Sequence, residues 1–162
     1  MKGVILAGGL GTRLHPVTLE IPKPLLTIKR TPILNYLISL FSKHGVTEPI
    51  VVIHKHHRDD YQWWQRRHQG ELPKNLKIQI EPKPLGTFGG LKYLRRELTE
   101  TFILSNGDEL KDFDLSHLIK FHKSHRKRPI ATIALVQAQN PSDYGVPTLI
   151  EDKHGARSGL IK

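Results

Sequence analysis

The chain has 162 residues, room for one domain with a packed core, and its 38% hydrophobic and 7% aromatic content is that of an ordinary globular protein. Its formal net charge of +10 asks for a polyanionic partner such as nucleotide phosphate, nucleic acid or a membrane surface, and sign alone does not choose among them. With no cysteine, and no apolar stretch that approaches a bilayer span or a secretory signal, the sequence excludes disulfides and thiolate metal sites and predicts a cytoplasmic protein whose metals, if any, sit on oxygen or imidazole.

"KGVILA" (residues 2–7) is short, apolar and stopped by glycine, which predicts a buried strand. "GGLGTRLHPVTLEIPKPL" (8–25) then replaces the expected helix. Gly8, Gly9 and Gly11 can adopt positive φ and let successive N–H groups turn toward a bulky anion. Arg13 adds a planar fork of donors suited to phosphate, and Lys23, stiffened between Pro22 and Pro24, a second cation. The spacing is neither the dinucleotide fingerprint nor a P-loop, so the glycines alone also read as an ordinary tight turn.

Thr31 as cap and Pro32 in first position predict a helix with Ile33, Leu34, Leu37, Ile38 and Phe41 on one face, closing at Gly45. "PIVVIH" (49–54) is a second strand, "RDDYQWWQRRHQ" (58–69) a polar helix with Trp63 and Trp64 against the domain's flank, and "LKIQIE" (76–81) a third strand. "TFGGLKYLRREL" (87–98) reads as a helix, "TFILSN" (101–106) as a strand, "DLSHLIKFHKSH" (114–125) as a helix and "IATIALV" (130–136) as a fifth strand. Strands separated by helices imply crossover connections, hence an α/β fold: a Rossmann-like three-layer α/β/α sandwich with a mainly parallel, mixed central sheet. Ligands collect beyond the carboxyl ends of such strands, where "AGGLGTRL", "EPKPLGT" and "SNGDE" all fall, so three separate segments point at one crevice. Asp108, after the flexible Asn106–Gly107 pair, offers a hard carboxylate oxygen to a divalent cation or serves as a turn residue.

The remaining charged runs are less informative. "KFHKSHRKR" (120–128) ends a helical stretch and reads as a solvated cationic face in preference to a nucleic-acid site, and "HKHHRDD" (54–60), whose spacing fits no helix face well, as a strand-to-helix loop in preference to a transition-metal site. No aromatic-basic ribbon supports nucleic acid as the partner.

Taken together, "GGLGTRLHPVTLEIPKPLLTI" and the helix beginning "PILNYL" resemble the signature of the sugar-nucleotide pyrophosphorylases, which join a nucleoside triphosphate to a sugar 1-phosphate. "EPKPLGTFGGL" resembles the family's base-reading segment, "ILSNGD" its strand-end metal aspartate and "YGVPTLIED" the strand lining its sugar site, in the family's order along essentially the whole chain. The resemblance implies that Arg13 holds the β and γ phosphates, Lys23 neutralises charge at the α phosphate and Asp108 ligates Mg²⁺. It places Leu6, Ala7 and Gly8 beside the base, Gly9, Gly11 and Thr12 in the phosphate turn, and Gly86 and Thr87 in the second base-contacting turn. It implies that Glu81 accepts from the base edge, which suits the paired donors of guanine, or Glu81 is a solvated strand end, and the "PLGT-x-G" wording resembles that of guanylyl transfer to mannose-like or heptose-like phosphates. Phe88 and Gly90 stand where the family commonly has alanine. Glu109, Tyr144 and Gly145 fall on the sugar side; the two last also read as a plain turn, and Glu109 also as facing water.

The family's later Glu-Lys-Pro segment and second aspartate have no counterpart, so residues 1–162 are expected to form a nucleotidyltransferase domain lacking its C-terminal portion and poorly active alone. The expected partners are the triphosphate and the sugar phosphate, with no nucleic acid or membrane and with homo-oligomerisation left open. The alternative is a non-catalytic nucleotide-binding regulatory or sensor subunit of the same fold.

Overall fold

The computed structural model describes residues 1–83, 85–126, 128–137, 140, 142, 145–147, 149–150 and 160–161. They fall into two compact units, 1–121 and 122–162. In the first, β1 (Lys2–Leu6) runs into the loop bearing a 3₁₀ turn (Thr12–Leu14), the short α1 (Val17–Glu20) and a second 3₁₀ turn (Lys23–Leu25). A small hairpin of β2 (Thr27–Ile28) and β3 (Thr31–Pro32) leads to α2 (Ile33–Lys43). There follow β4 (Glu48–His54), α3 (Arg58–Arg67), β5 (Lys77–Glu81), a 3₁₀ run (Gly89–Leu94), β6 (Ile103–Asn106) and α4 (Leu115–Ser124), the last reaching into the second unit.

The central sheet has the order β5-β4-β1-β6 and every pairing in it is parallel. Its inner strands are apolar on both faces because both faces are covered. Ile5, Ala7, Val51 and Ile53 pack beneath α2, α3 and α4, while Val4, Leu6, Ile50 and Val52 meet Leu91, Leu94 and Leu98 on the other side. Right-handed crossovers explain the division: the chain leaves β1 for β4 and β5 through helices on one face, and must return to β6 over the other. The strand order therefore reverses beside β1, which is where the crevice opens.

Several local expectations change. Thr31 pairs with Ile28 in the hairpin and does not cap α2; Pro32 occupies the cap position and no side chain bonds the helix start. Burying Leu34, Leu37, Ile38 and Phe41, at about 1.5–3 kcal/mol each, outweighs the ~1 kcal/mol a side-chain cap would add. α3 buries Trp64 beside Tyr61, but Trp63, a third of a turn away, is 59% exposed beneath the Arg67 guanidinium. Of residues 87–98, Gly89–Leu94 form a 3₁₀ run and no α-helix is present. Two consecutive glycines each cost about 1 kcal/mol against alanine in a helix, and Leu94 and Leu98 reach the core without one.

In the second unit, β7 (Leu149–Ile150) pairs antiparallel with β8 (Leu160–Ile161), and His122 Nδ1 meets Thr132 Oγ1 at 2.9 Å. The expected strand at 130–136 is not formed: Ile130, Ile133, Leu135 and Val136 are exposed and join no ladder among the described residues. β-branched residues fit a pleated surface only when a neighbouring strand supplies one.

Candidate active site

At the carboxyl ends of β1, β4, β5 and β6 lies a cavity of ≈ 570 Å³. Eleven residues singled out from the sequence line it: Leu6, Ala7, Gly8, Gly9, Gly11, Arg13, Lys23, Glu81, Gly86, Thr87 and Asp108. Thr12 and Glu109 do not. Gly145 is exposed within the second unit, and Tyr144 lies outside the described residues. Leu10, Pro24, Val52, Gly90 and Asn106 complete the lining; of these, the sequence marks Pro24 only as stiffening Lys23, Asn106 only as part of the flexible pair before Asp108, and Gly90 only as a departure from the family pattern.

The glycine loop begins where β1 stops. Of Gly8, Gly9 and Gly11, only Gly11 has positive φ (64°), a correction to the expectation for all three. Its carbonyl accepts the Thr18 hydroxyl at 2.7 Å, and an added Cβ would lie 2.9 Å from Thr18 Cγ2. Gly11→Ala should therefore cost of order 1–3 kcal/mol. A lowered urea midpoint with unchanged slope would show it, whereas Gly9→Ala, with nothing within 4 Å of the added carbon, should melt as the parent does. Among the described residues the N–H groups of Gly8, Gly9, Leu10 and Gly11 meet no backbone carbonyl, so four donors remain for an anion.

Asp108 is delivered by close packing. Gly107 donates to the Leu6 carbonyl at 2.8 Å, an approach that an added Cβ, 3.0 Å from that oxygen, would oppose. Asp108 Oδ2 then accepts from Lys23 Nζ at 2.8 Å, both side chains about one-third exposed (36% and 34%). Arg13 is exposed and makes no ion pair among the described residues.

Glu81 is 7% exposed, which removes the solvated strand end. Its Oε1 accepts the Leu85 N–H at 3.0 Å, and Oε2 lies 3.2 Å from the place a Gly8 Cβ would take. Glu109 turns to Lys111, 2.7 Å away, and that bond holds its carboxyl below the usual range, Asn106 helping and burial opposing. Of the neighbouring histidines, buried His54 accepts the His56 N–H, and burial lowers its affinity for a proton, with His56 and His57 acting in the same sense and Glu81 against. Among the described residues no cluster of three or more His, Asp or Glu is arranged to hold a metal ion.

Residues 2–155 match the family model described as nucleotidyl transferase. The chain is 37% identical over 149 residues to mannose-1-phosphate guanyltransferase beta-B of Xenopus laevis, covering 90% of this chain and 41% of that protein. It is 34% identical over 149 residues to a mannose-1-phosphate guanyltransferase of Gibberella zeae, covering 90% and 40%. In structure it is similar to HddC from Yersinia pseudotuberculosis complexed with GMP-PN, at 32% identity and a TM-score of 0.64, covering 76% of this chain and 54% of that one. The chain thus spans about two-fifths of the length of the curated relatives it matches.

Proposed function

The chain belongs to the nucleotidyl transferase family, and from that premise we propose that it is the nucleotide-binding portion of an enzyme that joins a nucleoside triphosphate to a sugar 1-phosphate. One observation carries the reading. A loop with four open backbone N–H groups, an arginine without an ion pair among the described residues, a lysine-aspartate pair and a buried carboxylate beside Gly8 line one cavity. A sensor that only bound nucleotide would have less use for the lysine-aspartate pair, so the catalytic reading is favoured.

In the proposed reaction a phosphate oxygen of the sugar 1-phosphate forms a bond to the α-phosphorus. The bond from that phosphorus to the oxygen bridging to the β-phosphate breaks, and pyrophosphate leaves with the electron pair. Catalysis is then positioning and charge neutralisation. Arg13 and the loop amides take the leaving phosphates, and Lys23 meets charge gathering at the α-phosphate. Asp108 suits a divalent cation of the Mg²⁺ kind, which needs only one or two carboxylates beside phosphate and water. When bound, such an ion neutralises phosphate charge. The guanyltransferase relatives and the buried acceptor at Glu81 favour guanine, with a mannose-like phosphate as acceptor. On the acceptor side, Tyr144 and Gly145 are assigned by resemblance alone, and Glu109 takes part only by releasing Lys111. The same reading places Thr12 in the phosphate turn and the protein in the cytoplasm; no helix among the described residues is long and apolar enough to cross a membrane.

Calorimetric titration of the chain with GTP, ATP, CTP and UTP, each with Mg²⁺, tests the reading, followed by pyrophosphate release with mannose 1-phosphate. GTP should bind most tightly. Failure to bind any of the four would refute the nucleotide site.

A further inference from the structure

We propose that Tyr61 is a positioning residue for the nucleotide loop, its phenol holding the Ala7–Gly8 peptide from inside the core so that the Gly8 N–H faces the cavity. The proposal rests on the triphosphate reading above.

Tyr61 is wholly buried on α3, with Trp64 edge-on at 6.0 Å between ring centroids. Its hydroxyl donates to the Ala7 carbonyl at 3.3 Å. The Ala7 N–H donates to Val52 O, and the Leu6 carbonyl accepts from Gly107, both at 2.8 Å. Just where β1 ends and the glycine loop starts, three consecutive backbone groups are thus tied to β4, α3 and the loop after β6. Ala7–Gly8 is a trans peptide, so its C=O and N–H point in opposite directions.

A carbonyl drawn toward α3 therefore turns the Gly8 N–H away from α3. The cavity lies on that side: its sheet-side lining of Leu6 and Val52 belongs to the face opposite α3, and Gly90 packs against Val52. Without the phenol, the carbonyl has no other partner among the described residues and is free to rotate, carrying the amide with it. Burial pushes the phenol above its ordinary range, the carboxylates of Asp60 and Asp108 acting in the same direction, so the group remains a donor wherever the fold persists.

A buried tyrosine also needs a hydrogen-bond partner for stability alone, so the test must separate the two roles. Tyr61→Phe keeps the packing and removes the bond. The expected result is a shifted Gly8 amide in the ¹H–¹⁵N spectrum and a Kd for Mg·GTP raised about 3- to 10-fold in the folded protein. A lower melting temperature with the Gly8 resonance and Kd unchanged would overturn the role of Tyr61 and leave the triphosphate reading standing. Wild-type protein that binds no triphosphate would overturn both. Should Tyr61→Phe not fold, the wild type supplies the measurement. A Tyr61 hydroxyl proton protected from exchange, with a cross-peak to Ala7, supports the proposal, and one exchanging freely with water sinks it.

Discussion

Asp108→Asn is expected to slow pyrophosphate release by about 10²–10³-fold, the scale on which removing one fixed electrostatic group from such a site is felt. The amide keeps the shape of the carboxyl and loses its charge and its hard anionic oxygen. Lys23→Met should slow release comparably, but the two variants differ in sign where no metal is present. The Lys23–Asp108 pair, 2.8 Å apart and about one-third exposed, is worth no more than about 1 kcal/mol after solvent screening. A triphosphate tail, with several negative charges, can therefore open it. In Asp108→Asn the lysine is unpaired and a repelling charge is gone, so metal-free GTP should bind more tightly than to the parent. In Lys23→Met the acid is left facing the phosphates, and metal-free GTP should bind about tenfold more weakly. Titration in the presence of chelator reads both. Shifts in the same direction would mean that the two side chains do not face one phosphate tail.

The sequence was most legible where burial on two faces leaves a run of apolar, largely β-branched residues, as in β1 and β4, or where one helical face repeats, as in α2. It was least legible where identity depends on a distant neighbour. "IATIALV" has strand composition, yet a strand exists only against a partner edge. Trp63 and Trp64 differ by a single residue, enough to turn one ring to solvent. For the site, chemistry-bearing types in the three loops could be read, but not their directions. Thr12 and Glu109 stand next to lining residues without lining the cavity, and Glu109 turns onto a lysine two positions on. The Lys23–Asp108 contact joins positions 85 apart, a distance no spacing rule spans. The place of the Glu81 carboxylate likewise depends on Gly8, whose added Cβ would lie 3.2 Å from Oε2.

Burial gives Glu81 the second large effect: Glu81→Gln should weaken GTP about 10- to 100-fold and narrow or reverse the preference over UTP and CTP, the discrimination being worth about 1–3 kcal/mol for a paired hydrogen-bond contact. Oε1 already accepts the Leu85 N–H, so a ligand's donor pair would meet Oε2, 3.2 Å from the place a Gly8 Cβ would take, and the remaining lone pair of Oε1. A carboxylate in that position costs desolvation unless donors meet it. Guanine carries adjacent N–H donors on one edge, whereas the pyrimidine bases do not present that pair. In the glutamine variant the amide oxygen can keep the Leu85 bond, which turns the NH₂ toward the base and sets donor against donor. The size and packing of the side chain are unchanged, so a loss of GTP affinity with an unaltered melting temperature reports the base contact itself. Equal weakening of all four triphosphates would instead assign Glu81 to holding the turn at Leu85, and the choice of base would then lie with other residues of the cavity.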